Sequence, residues 1–124
     1  MSPIKKRVVV MGASAKPDRY SNQAVRLLLE NGHEVIPVHP KLDEVEGLKV
    51  IHQLGEISGA VDTLTLYVGP DASSAAAEAI IQLHPGRVIF NPGSENPDLE
   101  MRLRQAGIAH EQACTLVLLR TAQF

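Results

Sequence analysis

The sequence feature that most constrains the fold is a short apolar run that stops at a glycine near the amino terminus. Residues 8–11 are three valines and a methionine, and Gly12 follows them directly. An uninterrupted apolar run suits a strand that is covered on both faces, as in a parallel sheet between helices. A small polar loop then leads into a helix-like pattern from Ser21. Because a strand, a glycine turn and a helix start direct backbone N–H groups at a phosphate, we expect a phosphate-bearing ligand here.

The same alternation of strands and helices continues to the end of the chain. Apolar, β-branched segments predict further strands at residues 34–39, 62–68, 87–90 and 108–111. Helices are predicted at residues 21–31, 72–83 and 97–106, with Ser21, Asp71 and Asn96 as their N-caps. The apolar tail, residues 114–121, fits either a strand or a short closing helix, of which we favour the helix. These elements predict a doubly wound, Rossmann-like parallel sheet of about five strands in the order 3-2-1-4-5, with helices on both faces.

Composition limits the class of protein. The chain has 124 residues, close to the common size of one domain, so we expect a single domain over residues 1–124. A net charge of -2 argues against a nucleic-acid-binding protein, and a lone Cys114 suggests a reducing compartment. The basic start, residues 1–7, precedes an apolar run too short for a signal sequence or a membrane span. We therefore expect a cytoplasmic protein without a membrane partner.

Candidate site residues lie where the predicted strands end. In an open α/β sheet, ligands bind outside the carboxyl ends of the strands. Turns use glycine, proline and small polar residues in any case, so each segment alone is weak evidence, but all four share one rim. The residues are Gly12, Ala13 and Ser14 after the first strand, Val38, His39, Pro40 and Lys41 after the second, Val68, Gly69 and Pro70 after the third, and Asn91, Pro92 and Gly93 after the fourth.

The first loop and the end of the second strand indicate the kind of ligand. Ser14, Lys16, Arg19 and Ser21 offer hydroxyls and positive charge, although only the first glycine of a G-x-G-x-x-G motif is present. An NAD site usually has an acidic residue at the end of the second strand to hold the ribose hydroxyl, and this chain has Lys41 nearby. The pattern disfavours NAD and leaves NADP or coenzyme A, which both carry a ribose phosphate. Lys41 is equally well explained as an exposed loop residue.

These segments resemble the CoA-binding-domain family, small stand-alone Rossmann-like proteins similar to the nucleotide-binding domain of the succinyl-CoA synthetase alpha subunit. The resemblance rests on residues 12–21, on residues 29–40 and on residues 91–96, and it extends over nearly the whole chain. It implies coenzyme A held across the strand ends. Gly12, Ser14, Arg19 and Ser21 match the family loop expected to hold the phosphates, and Val38, Pro40 and Lys41 match the segment expected to line the adenine and ribose.

The chain departs from the family pattern at three places. Tyr20 stands where many relatives have proline, and His39 stands where asparagine is usual. The segment Val68–Pro70 lacks the arginines that many relatives carry after the third strand. The last departure concerns the contacts expected to the pantetheine and the outer phosphate.

The sequence offers little support for catalysis. Ser14 follows a strand, but Lys16 replaces the second glycine of G-x-S-x-G. The five histidines form no metal-binding spacing, and one cysteine is too few for a thiolate zinc site. Cys114 could exchange with the thiol of coenzyme A, but it is more often a small buried apolar residue.

Three functional hypotheses remain. The first is a non-enzymatic module that binds coenzyme A or acyl-CoA, as a sensor or as a partner subunit of a larger enzyme. The second is a small NADP-dependent oxidoreductase or a fragment of one. The third is a ligand-free interaction protein, for example a homodimer with the apolar tail 115–119 at its interface.

Overall fold

The computed structural model describes residues 4–124 and contains a five-stranded parallel sheet with helices on both faces. The strands, in chain order, are β1 (Arg7–Met11), β2 (Glu34–Val38), β3 (Glu44–Val45), β4 (Leu48–Lys49), β5 (Thr63–Leu66), β6 (Arg87–Phe90) and β7 (Ala109–Gln112). The helices are α1 (Tyr20–Glu30), α2 (Pro70–Ala75), α3 (Ala77–Leu83), α4 (Pro97–Gln105) and α5 (Thr115–Arg120), with a 3-10 turn at Leu54–Glu56. The predicted Rossmann-like α/β fold and the predicted closing helix are both confirmed.

The predicted strand order, 3-2-1-4-5, is wrong. The observed order is β2-β1-β5-β6-β7, so the third main strand pairs with β1 and β2 lies at the edge. All four residues of β5 are buried, as expected for a strand in the centre of the sheet. Pro37 in β2 has no N–H to donate, which suits an edge strand, and a single bridge from Ile51 to Val38 covers that edge.

The core consists of two aliphatic layers, one on each face of the sheet. Val9 packs with the layer beneath α3 and α4, whereas Val8 and Val10 pack with the layer beneath α1 and α5. This alternation follows from the pleat of β1, which sends successive side chains to opposite faces. The run of consecutive valines is therefore buried on both sides, as predicted. Among residues 4–124, none of the helices combines the length and the apolar content needed to cross a bilayer.

Several predicted boundaries need correction. Arg19 occupies the N-cap of α1, so Ser21 lies inside the helix rather than at its cap. Gly69, rather than Asp71, precedes α2, and Ala76 interrupts the predicted helix 72–83 with φ -93° and ψ 3°. Between the predicted strands 34–39 and 62–68, the chain also forms β3, which pairs with β4 in a short antiparallel hairpin. Residues 1–3, part of the basic segment considered as a signal sequence, lie outside the described residues.

Candidate ligand-binding site

A cavity of about 1080 Å³ lies at the carboxyl edge of the sheet, where β1 and β5 are neighbours. The chain leaves β1 towards β2 on one side and later returns as β5 on the other side. A reversal of this kind opens a crevice at the strand ends, which is the usual ligand position in a doubly wound sheet. The volume is at the upper end of the range for small-molecule sites.

Most of the residues selected from the sequence line this cavity. They are Gly12, Ala13, Ser14, Lys16, Arg19, Tyr20, Ser21, Val38, His39, Pro40 and Val68. The others lie outside its lining, although they follow the same strand ends: they are Lys41, Gly69, Pro70, Asn91, Pro92 and Gly93. The structure thus brings together the loops after β1 and β2 and leaves the loop after β6 apart.

The turn after β1 is fixed by its neighbours. The amides of Gly12 and Ala13 both donate to the carbonyl oxygen of Val38, at 3.0 and 3.1 Å. Gly12 has φ +91°, and a Cβ there would lie 2.8 Å from the carbonyl oxygen of Tyr67 and 2.8 Å from Val68 Cγ1. The first two amides after the valine run are therefore engaged by β2. Backbone donors for a ligand must come from further along the chain.

The start of α1 supplies such donors. The N–H groups of Tyr20, Ser21 and Asn22 precede the first intrahelical bond, in which Gln23 donates to the Arg19 carbonyl. Within residues 4–124, the Arg19 side chain makes no capping hydrogen bond, and the first turn of α1 has no acidic residue. The positive end of an eleven-residue helix therefore lies at the cavity, and the nearby Glu46 carboxylate accepts from the side chain of Asn22 in that first turn, at 3.1 Å.

Two cations flank this helix end. Lys16 and Arg19 both line the cavity, and their side chains are exposed. In the described part of the chain, neither one forms an ion pair with a carboxylate. The Lys16 amide donates to Ser14 Oγ at 3.1 Å, which turns the loop towards α1. Helix end and cations together make this side of the cavity suitable for an anion.

Two histidines, His39 after β2 and His52 after β4, line the cavity. His39 Nδ1 accepts hydrogen bonds from the amides of Lys41 and Leu42, at 3.0 and 3.1 Å. In this geometry the neutral ring carries its proton on Nε2. His52 Nε2 lies 3.0 Å from the Leu42 carbonyl oxygen, so that atom is the donor. His39 thus shapes the turn that contains Pro40 and Lys41.

Sequence reasoning missed an apolar wall opposite the loop. Four alanines of α2, of α3 and of the junction between them recur at helical spacing and line the cavity, together with residues around the 3-10 turn and after β5. A signal was present, because alanines at spacings of three and four follow a strand end directly and leave room beside a helix. The residues missed are Met11, Ala15, Leu42, His52, Gln53, Leu54, Gly55, Tyr67, Ala72, Ala75, Ala76 and Ala79.

Tyr67 also lines the cavity, but its hydroxyl is turned away into the protein. Among the described residues, that hydroxyl has no well-formed hydrogen bond to a partner and is closed to solvent. Burial raises the pKa of the Tyr67 hydroxyl well above its ordinary value, and the nearby Thr65 and Thr115 hydroxyls oppose this in part. Tyr67 therefore presents its ring, rather than an ionisable group, to the cavity.

Asn91 has a structural role at the end of β6. Its Nδ2 donates to Thr65 Oγ1 at 2.6 Å and to the Leu66 carbonyl at 2.9 Å. Its Oδ1 accepts from the Thr115 amide at 2.9 Å. All of these groups are buried, so Asn91 connects β5, β6 and the start of α5.

The described residues contain no cluster of three metal-ligating side chains. Cys114 is half-buried at the start of α5 and lies outside the lining of the cavity. The cavity therefore combines backbone donors, hydroxyls, two cations and an apolar wall. Such a set can bind an anionic ligand that also has an apolar part.

Comparisons with known proteins identify the family of the chain. The family model described as CoA binding domain matches residues 6–120. The curated Bacillus subtilis protein YneT, described as uncharacterized, is 29% identical over 102 residues, which are 82% of this chain and 76% of that protein. A crystal structure of an uncharacterized protein is 41% identical, with a TM-score of 0.92, and the match covers 98% of this chain and 100% of that one.

A second solved structure, of cell-free ID.343 from Thermus thermophilus, is 29% identical, with a TM-score of 0.88. That match covers 97% of this chain and 91% of the other. The family match extends from the beginning of β1 to the end of α5, so it includes every strand end around the cavity. The chain therefore belongs to the CoA binding domain family.

Proposed function

We propose that the protein binds coenzyme A or acyl-CoA in the cavity at the carboxyl ends of the strands, without catalysing a reaction. Membership of the CoA binding domain family supports the choice of ligand. In this proposal the protein acts in the cytoplasm as a sensor of coenzyme A or as an accessory subunit of an enzyme. The described cavity would be its functional surface.

The observation that carries the proposal is the open amino-terminal end of α1. Two residues of its first turn, Tyr20 and Ser21, line a large cavity, and the cations Lys16 and Arg19 line the same side. A diphosphate bound there would accept from the amides of Tyr20, Ser21 and Asn22. The hydroxyl of Ser21, a buried residue that lines the cavity, is a further donor. Helix ends bind phosphate groups in this manner because donors and dipole act together.

The cavity has a polar side and an apolar side, which suit the diphosphate and the pantetheine arm of coenzyme A. The loop side is polar and cationic and suits the diphosphate. The opposite wall, made by Ala72, Ala75, Ala76 and Ala79, is apolar and has only methyl side chains. Such a wall leaves space for an extended pantetheine arm, whose methyl groups would contact it. An acyl group on the thiol would continue along the same wall.

The segment after β2 would hold the adenine and the ribose phosphate of the ligand. Lys41 lies between two lining residues, Pro40 and Leu42, and its side chain is exposed. In this position its ammonium group would pair with the phosphate on the ribose. His39 holds the turn in place through the Lys41 and Leu42 amides. The adenine would then lie against the Val38–Pro40 segment.

Isothermal titration with coenzyme A, NADP and NAD tests the proposal. We expect coenzyme A to bind more tightly than either dinucleotide, because neither supplies a pantetheine arm for the alanine wall. Heat with NAD and none with coenzyme A would contradict the proposal. An assay of hydride transfer that monitors the absorbance of NADPH tests the oxidoreductase hypothesis in parallel. Robust turnover would favour that hypothesis over non-catalytic binding.

A further inference from the structure

The hairpin β3–β4 contains a residue in a conformation that is unfavourable for its type. Its turn consists of Glu46, with φ +50°, and Gly47, with φ +77°. Two-residue hairpins of this kind need positive φ at both central positions, which Asn-Gly and Asp-Gly provide most readily. Glutamate at the first position carries a steric cost. Something beyond the turn itself must account for Glu46.

Glu46 contacts the amino-terminal helix through a hydrogen bond. Its Oε2 accepts from Asn22 Nδ2 at 3.1 Å, and the same Asn22 nitrogen donates to the Ser14 carbonyl at 2.9 Å. Asn22 Oδ1 accepts from Arg26 Nε at 2.8 Å, and Arg26 Nη2 donates to the Pro17 carbonyl at 2.8 Å. The orientation of the Asn22 amide is unambiguous, because Ser14 and Glu46 offer only acceptors and Arg26 offers only donors.

Asn22 is therefore the centre of a hydrogen-bond network that holds the loop 14–17 against α1. It is fully buried, with 0% of its surface exposed, so its hydrogen bonds face little competition from water. Glu46 satisfies the Asn22 hydrogen that the Ser14 carbonyl does not use. Because the loop contains Ser14 and Lys16, which line the cavity, the network acts on the cavity wall.

The hairpin also reaches the cavity at both of its ends. Leu42 precedes it and His52 follows it, and both residues line the cavity. Val45 and Val50 anchor the hairpin in the core layer beneath α1. The segment 42–52 thus begins and ends in the cavity wall, and its tip is bonded to the residue that holds the opposite loop.

We infer that Glu46 and Asn22 are positioning residues. Their hydrogen bonds, called the latch below, connect the tip of the β3–β4 hairpin to the loop 14–17 and set the geometry of that loop for an anionic ligand. This inference rests on the proposed function, because the loop is the one proposed to hold the phosphates. Neither side chain needs to touch the ligand. Glu46 fixes Asn22, and Asn22 fixes the Ser14 carbonyl.

The test compares three variants by titration with coenzyme A: Glu46→Gly, Glu46→Gln and Glu44→Gln. Glycine suits the positive φ but removes the acceptor, whereas glutamine keeps an acceptor and removes the charge. Glu44 is an exposed acid in the same hairpin that pairs with Lys49 in the strand register. Glu44→Gln therefore controls for loss of negative charge near an anionic ligand.

The latch predicts an affinity loss of about fivefold for Glu46→Gly, the size expected for one hydrogen bond. Glu46→Gln and Glu44→Gln should stay within about twofold of the wild type or bind more tightly. Simple electrostatics predicts the opposite for Glu46→Gly, because removing an acid should strengthen anion binding. The melting temperature of Glu46→Gly should shift by less than about 4 °C, since strain relief offsets the lost bond. Unchanged or tighter binding by Glu46→Gly would overturn the inference, as would equal losses in Glu46→Gly and Glu46→Gln.

Amide hydrogen exchange of the ligand-free protein separates this inference from the proposed function. If the wild type binds no coenzyme A, the proposed function fails, but the latch still predicts a looser loop. The amides of Lys16 and Arg19 are hydrogen-bonded within that loop, to Ser14 Oγ and to the Lys16 carbonyl. In Glu46→Gly they should exchange about fivefold faster than in Glu44→Gln. Equal exchange rates would overturn the latch.

Discussion

Gly12 and Val38 lie at the ends of neighbouring strands, and the Gly12 amide donates to the Val38 carbonyl at 3.0 Å. The Ala13 amide donates to the same oxygen at 3.1 Å. Both amides would otherwise have been the first candidates to bind a phosphate. Because they are engaged, they fix the two strand ends together and direct the loop towards the start of α1. The turn after β1 shapes the site, and α1 provides the donors for a ligand.

Gly12→Ala should destabilise the fold by about 3 kcal/mol, because positive φ and a backbone contact oppose any Cβ there. The contact is with the Tyr67 carbonyl oxygen, 2.8 Å from the position of the Cβ. Gly32→Ala is the control, because Gly32 has φ +82° but no atom within 4 Å of its Cβ position. That variant should lose only about 1 kcal/mol. Chemical denaturation measures both values, and equal losses would contradict the role given to the close contact.

Arg19→Ala should weaken binding of coenzyme A by about fivefold, because it removes a cation beside the open end of α1. The loss should shrink as ionic strength rises, since the side chain is exposed. Arg104→Ala on α4 makes the same change in charge away from the cavity. Isothermal titration at low and high salt separates the two variants. A similar loss in both would indicate a general charge effect rather than a contact.

Lys41→Ala should weaken binding of coenzyme A by about threefold and leave binding of dephospho-coenzyme A unchanged. The reason is that Lys41 is proposed to pair with the phosphate on the ribose, which dephospho-coenzyme A lacks. Competition binding with the two ligands measures the difference directly. If Lys41→Ala affects both ligands equally, Lys41 does not read that phosphate.

Asn91→Ala should cost about 3 kcal/mol of stability, because it leaves the buried Thr115 amide without its acceptor and removes the donor to Thr65 Oγ1, which retains its hydrogen bond with Thr115 Oγ1. The affinity of the folded variant for coenzyme A should stay within about twofold of the wild type, since Asn91 lies outside the cavity. Pro92→Ala, at the exposed next position, should change neither property. A loss of affinity without a loss of stability would assign Asn91 to the ligand site.

The stability of the protein should fall as the pH is lowered below about 6.5, and His33 should contribute to that fall. Burial, followed by the Lys6 charge, lowers the pKa of His33 below 6.5, while Asp62 opposes this. The unfolded chain therefore takes up this proton more readily than the folded protein, so acid favours unfolding. Protonation of Nδ1 would also break its hydrogen bond from the Lys6 amide.

His33→Gln keeps an acceptor for the Lys6 amide and removes the titrating group. We expect the difference in melting temperature between pH 7.5 and pH 5.5 to be smaller in this variant than in the wild type. The other four histidines are present in both proteins and serve as an internal control. Parallel losses in the two proteins would show that His33 does not contribute.

The strand β1, which the site follows, was predictable because neighbouring residues in the sequence determine it. Three valines and a methionine before Gly12 determine a buried strand and a glycine turn without reference to distant residues. The order of the strands was not predictable in the same way, since it depends on which neighbours each strand has. The burial of all four residues of β5 favours the central position, but sequence alone did not distinguish that from an edge with a covered face.

The site was predictable where residues follow a strand end and less so where distant segments meet. Ser14 and Arg19 come from the loop after β1, and both line the cavity. Gln53 and Ala72 come from elsewhere and reach the cavity through the bridge at Ile51 and the start of α2. Asn91 also follows a strand end and was predicted to line the site, but its side chain makes buried hydrogen bonds within the protein instead.

A crystal structure of the protein soaked with coenzyme A is the most direct test of the central claim. The account predicts the diphosphate within hydrogen-bond distance of the first-turn amides of α1 and the pantetheine along the alanines of α2 and α3. A diphosphate bound elsewhere, or a cavity that stays empty at saturating coenzyme A, would contradict it.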